Sequence, residues 1–192
     1  MAAIVLAAPS AHAALIIPTG VVASSTSAGS ADETINGSGL NAPFDETATH
    51  DTLNYWQGGV PGIGTTITFD LGNSYNLTGT YIWNYNNPDS SPRGFTDFEI
   101  YVGGSGDPTA STLITASAQI SQNSIGAPNT AEFESFVASN VRYVRFRSLA
   151  TGANDRVGLG EVRFDGTLVP EPSSFALLGL GGLALLLRRR RV

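Results

Sequence analysis

The chain has no cysteine and no lysine, one methionine, two histidines and only 14% charged residues in its 192 positions. Without cysteine there are no disulfides, no thiolate metal sites and no cysteine nucleophiles. Without lysine every basic side chain is an arginine, and four of the ten are the consecutive Arg188, Arg189, Arg190 and Arg191. The other six face sixteen carboxylates, so the middle of the chain is acidic. That balance repels phosphate backbones and argues against a nucleic-acid partner. Glycine is abundant, at 22 residues, alongside many small hydroxyl residues. This profile suits a β-rich, loop-rich protein outside the cytoplasm. The length holds one domain plus end segments, and a domain of roughly 150 residues buries a sufficient core without disulfides.

Both ends are apolar. MAAIVLAAPSAHAALIIP carries an apolar run from Ala2 to Ala8, then the small-residue pattern Ala11-His12-Ala13 that signal peptidase accepts. No basic residue precedes Arg93, so 1–13 is expected to be a secretory leader whose start lies upstream of Met1. The other reading of this stretch is an apolar N-terminal strand. At the far end, residues 173–187 would span about 22 Å as a helix, against the roughly 30 Å of a bilayer core. Val169 to Pro172 and the arginine stems make up the difference. No polar face interrupts the run, and the arginines that follow it suit a cytoplasmic stop. A single C-terminal transmembrane helix is therefore expected.

The order Val169-Pro170-Glu171-Pro172, short glycine-rich apolar helix, arginine cluster resembles the PEP-CTERM sorting signal, over residues 169–192. The resemblance implies export by a Gram-negative bacterium that makes exopolysaccharide. It also implies recognition of Pro170, Glu171 and Pro172 by an exosortase-type membrane protease. The protein would be held briefly in the inner membrane with its domain in the periplasm, then moved to the cell surface or matrix. Two prolines keep the backbone extended and unpaired, a form that a protease groove can grip.

Residues 15–168 read as short strands separated by turns. Ile67, Phe69 and Leu71 alternate with polar residues, and so do Leu77, Gly79, Tyr81, Trp83 and Tyr85, then Phe98, Ile100 and Val102. Period two dominates, and no stretch sustains a helical period over three turns. The expected fold is an all-β antiparallel β-sandwich or jelly roll. The ordered segments ITFDLGNSYNLTGTYIWNYN, RGFTDFEIYV, SNVRYVRFRS and GLGEVRF resemble the discoidin (coagulation-factor type C) family, with its galactose-binding-like jelly roll.

That resemblance implies a calcium ion near the meeting point of the terminal strands. Asn36 and Glu161 are its best side-chain ligands and Asp32 is a poorer one. Calcium takes six to eight oxygens, which the loop Asp32 to Gly39 could supply, although an Asn-Gly turn needs no metal. Sugar sites on such sandwiches stack an aromatic ring on a pyranose and hydrogen-bond its hydroxyls. The rings near loops are Tyr55, Trp56 and Tyr85, with Arg93 and Arg156 beside Asn84, Asn86 and Asn154 as polar partners. Trp83 is expected in the core, and Trp56 is open between core and surface.

Catalytic signals are sparse. His50 reads as a surface loop residue, and no Gly-x-Ser-x-Gly elbow is present. The pairs Asp97/Glu99 and Glu132/Glu134 read as charges on the solvent face of strands rather than as glycosidase pairs. The sequence thus points to an exported, non-catalytic protein that binds carbohydrate, with exopolysaccharide or another glycan as partner. The alternative is a structural or adhesion protein of the matrix with no small ligand, and a hydrolase comes last.

Overall fold

A computed structural model of the protein describes residues 14–42, 45–87, 92–122 and 127–170. The leader at 1–13, Glu171, Pro172, the apolar segment 173–187 and Arg188 to Arg191 lie outside the described residues. Pro170 lies inside them and is exposed. Among the described residues no helix is long and apolar enough to cross a membrane.

The chain forms β1 (Ala14–Ile16), β2 (Gly20–Ala23), β3 (Ala28–Gly29), β4 (Thr49–His50), β5 (Trp56–Gln57), β6 (Thr66–Asn84), β7 (Asp97–Gly103), β8 (Thr112–Gln119), β9 (Asn129–Thr130), β10 (Glu132–Ser148) and β11 (Gly158–Leu168). Every pairing between these strands is antiparallel. The two long strands, β6 and β10, belong to both layers of the sandwich. The first half of β6 lies between β2 and the second half of β10, which continues to β7 and β8. Its second half lies between the first half of β10 and β11, which continues to β1, β5 and β3. The two apolar runs read from the sequence as separate strands are one continuous strand. Gly72 sits where it passes between layers, at φ +78°, a conformation that costs glycine little. The Gly72 N–H donates to Asp70 Oδ1 at 2.8 Å.

The core is a stack of phenylalanines between the layers. Phe146 meets Phe69, Phe98 and Phe164 at centroid distances of 5.4, 5.0 and 6.2 Å. Ile67, Leu71, Ile100, Val144 and Val162 pack around them, fully or almost fully buried.

Beyond Leu77 the sequence pattern fails in an informative way. The register of β6 against β11 slips between Gly79↔Asp165 and Leu77↔Gly166, a bulge that inserts Thr78. One extra residue transfers all later side chains to the opposite face. Ile82 therefore points into the main core, whereas Tyr81 and Trp83 point outward. Trp83 is still fully buried, because the loop before β4 folds over it. Its indole N–H donates to the Ala48 carbonyl at 2.8 Å, and Leu40 and Ala48 pack on the ring. The expectation that Trp83 is buried is met, but by a second small cluster on the outer side of the sheet.

Candidate functional site

Strand β5 has only two residues, and they face opposite ways. Trp56 enters the core, fully buried, 6.3 Å from Phe95 between ring centroids. Its indole N–H reaches the Ser25 carbonyl and the Thr26 hydroxyl at 3.2 and 3.1 Å. Gln57 turns toward the loops, where its side chain is the junction of a polar network. Arg93 Nη1 donates to Gln57 Oε1 at 2.7 Å, and the Tyr85 hydroxyl donates to the same oxygen at 3.1 Å. Gln57 Nε2 donates to Ser27 Oγ at 2.8 Å, and Arg156 Nη1 approaches that oxygen at 3.4 Å. The Tyr55 ring meets Tyr85 edge-on, with centroids 4.9 Å apart.

Four of the five residues expected to bind ligand thus come together: Tyr55, Tyr85, Arg93 and Arg156. Their exposure differs from the expectation. Tyr85 is buried and its ring lies against Gly158, so it supports the network from beneath and offers no stacking face. Trp56 is a core residue, and the stacking role considered for it is withdrawn on the same ground. Tyr55, Arg93 and Arg156 are half-buried, and Ser27 is exposed. These four form the surface of the site. Asn84 and Asn86 are buried braces. Asn84 Oδ1 accepts from the Tyr85 and Phe95 backbone N–H groups at 2.8 and 2.9 Å, and Asn86 Nδ2 donates to the Ala127 carbonyl.

Local backbone conformations aim these side chains. Gly29 adopts φ +65°, and a Cβ there would overlap the Tyr55 carbonyl oxygen, so only glycine lets Tyr55 approach β3. Glu33 Oε2 accepts the Tyr55 N–H at 2.9 Å, fixing the chain just before the site. On the other side Asn154 and Asp155 both hold positive φ, 58° and 54°, immediately before Arg156. Left-handed backbone at non-glycine residues is uncommon and clusters at functional loops. Gln57 and Ser27 were not singled out from sequence. Nothing in the stretch Tyr55 to Gly59 marks a glutamine as a junction.

The residues implied for calcium lie elsewhere, and protein groups already engage them. Glu161 and Arg163 are both buried on the outer face of β11 and form an ion pair. Glu161 Oε2 also accepts the Gly37 N–H at 3.0 Å, while Asn36 Oδ1 accepts the Ser38 N–H at 2.8 Å. A divalent ion here would have to share Glu161 with a guanidinium. The donor set as arranged does not fit calcium. Burial is the main influence on Glu161, pushing its carboxyl up to about 7, against the opposing pull of Arg163 and the Gly37 N–H.

His50 is almost fully buried rather than on the surface. It is wedged between Gly39 and Gly160, where any Cβ would clash with its ring. Its Nδ1 lies 2.8 Å from the Asp51 carbonyl, which can only accept, so Nδ1 carries the proton. Burial pulls its pKa down, keeping the ring neutral. Three of the four paired carboxylates are committed to the fold, and Glu134 is half-buried, which raises its pKa. Glu99 holds Arg147 at 2.8 Å and the Tyr101 hydroxyl at 2.7 Å, and Asp97 accepts from Ser117 at 2.9 Å. Glu132 accepts the Ser121 N–H through both oxygens at 2.9 and 3.1 Å.

Comparison with family models matches residues 168–191 to the PEP-CTERM protein-sorting motif. No curated protein matches the chain. Several solved structures share its fold. The family 32 carbohydrate-binding module of AlyQ, solved in complex with 4,5-unsaturated mannuronic acid, is 26% identical. That match covers 78% of this chain and 96% of the module, with a TM-score of 0.56. The family 32 module of Clostridium perfringens NanJ, solved in complex with galactose, is 13% identical and covers 80% and 98%, with a TM-score of 0.57. A fucolectin from striped bass (Morone saxatilis) serum is 20% identical, with a TM-score of 0.56, covering 80% of this chain and 48% of the lectin. The fold is the antiparallel β-sandwich of the galactose-binding-like modules, and the chain carries a PEP-CTERM sorting motif.

Proposed function

We propose that the protein is an exported, non-catalytic glycan-binding protein whose binding site is the loop end around Gln57. The observation that carries this reading is the convergence of Arg93, Arg156 and Tyr55 on one Gln57–Ser27 network. Guanidinium forks and a serine hydroxyl match the hydroxyls of a sugar, and their orientation is already fixed by bonds to Gln57 and Ser27. A prearranged polar surface of this kind loses less freedom on binding. Tyr55 is the one ring of the group left at the surface for a pyranose face to rest on. The lectin and carbohydrate-module neighbours support the same reading. The PEP-CTERM motif adds the route: export in a Gram-negative bacterium and handling by an exosortase-type protease at the inner membrane. The cell surface or the exopolysaccharide matrix is the proposed destination.

Binding is proposed to need no calcium, because Arg163 already supplies the positive charge beside Glu161. Chelation by EDTA is expected to leave both the melting temperature and glycan affinity of the full chain unchanged. A fall of 5 °C or more that added calcium restores would contradict this.

The direct test is a glycan-array screen of the full chain, followed by titration of the best glycan. Arg93→Ala and Arg156→Ala are each expected to weaken binding roughly 10- to 100-fold, the loss of one charged hydrogen bond. Silence across the array by a folded chain would instead favour a structural or adhesion role in the matrix.

A further inference from the structure

The loop end is not the only surface with binding chemistry. On the outer face of the first layer, strands β2, β6 and β10 and the loop between β7 and β8 enclose a groove of about 580 Å³. That volume lies within the range of small-molecule sites. The groove shares no residue with the loop-end site. Register explains what lines it. Ile67, Phe69, Val144 and Phe146 point into the core, so their neighbours Thr66, Thr68, Tyr143 and Arg145 must point out. Val22, opposite Thr68, forms one rim with its side chain in solvent. Pro108 and Thr109 form the other. That rim is pinned, because Asp107 accepts from Thr109 Oγ1 at 2.6 Å, Ser111 N at 2.8 Å and Ser111 Oγ at 2.7 Å.

The three arginines of this face are held in different ways. Arg142 is held by Asp70 in a two-bond fork at 2.9 and 3.0 Å, and Arg147 is held by Glu99 at 2.8 Å. Arg145, between them, forms no ion pair among the described residues. It lies over the Tyr101 ring, 4.3 Å from the centroid, and its Nε is buried without a hydrogen-bond partner. Stacking on Tyr101 holds the guanidinium plane in place without consuming its donors. The nearby Glu99 carboxylate is bonded to Arg147 and acts on Arg145 only through its charge, so the donors of this fixed guanidinium remain for an anion from outside. The Thr66, Thr68 and Thr109 hydroxyls, the Tyr143 side chain and the Asp70 carboxylate, itself held by Arg142, line the groove with it, groups suited to sugar hydroxyls and not to a phosphate-dense ligand.

We propose that this groove is a second saccharide site, specific for carboxylate-bearing sugars, in which Arg145 takes the uronate carboxylate. The site stands independently of the loop-end reading. A uronate oligosaccharide lies along the groove, with its carboxylate on Arg145 and its hydroxyls on the threonines. A neutral glycan gains nothing there from Arg145.

The probe is tetragalacturonate, titrated into the full chain by calorimetry alongside its methyl ester. The expected result is saturable binding that weakens at least tenfold on esterification and at least tenfold in Arg145→Ala. The same binding is expected to persist in Arg93→Ala. Thr68→Val, which leaves the stacked pair of Arg145 and Tyr101 intact, is expected to weaken it several-fold and serves as the control if Arg145→Ala unfolds. Failure to bind, equal binding of the ester, or loss in Arg93→Ala with none in the groove variants would each overturn the proposal.

Discussion

Trp56→Ala is expected to unfold the domain before it affects any ligand, lowering the unfolding free energy by about 3–5 kcal/mol. The indole is fully buried against Phe95, and its N–H bonds the Ser25 carbonyl and the Thr26 hydroxyl. Truncation leaves a ring-sized void and strands those acceptors. In a domain of this size the loss corresponds to a fall in melting temperature of about 10 °C or more. Thermal denaturation of the full chain, followed by near-ultraviolet circular dichroism, reads it. A variant that melts within 2 °C of the parent while losing glycan binding would return Trp56 to the surface of the site.

The second large effect concerns pH. Glu161 titrates at about 7 in the folded protein, raised chiefly by burial. An unfolded glutamate titrates at about 4.3. Between these values the folded state holds a proton that the unfolded state has released. The stability this group provides is therefore complete below about pH 4 and lost as pH rises through 7. The loss amounts to about 3 kcal/mol at pH 8. Glu161→Gln keeps an oxygen for the Gly37 N–H and removes the titration. The variant is expected to match the parent near pH 4.5 and to exceed it by about 3 kcal/mol at pH 8. His50 contributes the opposite slope, losing stability as pH falls below about 6.5, because burial depresses its pKa. It is common to both proteins and cancels in the difference. Urea unfolding of both at pH 4.5 and pH 8 measures that difference. A variant less stable than the parent at pH 8 would show that the Arg163 pair outweighs burial. Buried pairs often fail to repay their desolvation, so the Glu161–Arg163 pair is better understood as an anchor for the loop at Gly37 than as a source of stability.

How far the sequence could be read depended on what each feature requires. Alternation in Ile67-Phe69-Leu71 and Phe98-Ile100-Val102 was legible because period two has a single cause, one face in the core. The same logic misled beyond Leu77, because a bulge at Thr78 costs one residue and leaves no compositional mark. Tyr55, Tyr85, Arg93 and Arg156 were picked out by residue type near turns, and the fold brings them together. Their exposure was not legible, since burial of Trp56 and Tyr85 depends on strands far away in sequence. Gln57 was missed because an amide becomes a junction only when Arg93, Tyr85 and Ser27 arrive from three other segments. His50 misled in the same way. A histidine among threonines and aspartates looks solvated until Gly39 and Gly160 are seen to close over it.

The loop end around Gln57 is the proposed glycan site. The most direct measurement is a heteronuclear NMR titration of the full chain with the best glycan from the array. Shift changes are expected at Ser27, Tyr55, Gln57, Arg93 and Arg156, with saturation lost in Arg93→Ala. Shifts confined to other faces, or saturation unchanged in both Arg93→Ala and Arg156→Ala, would contradict it.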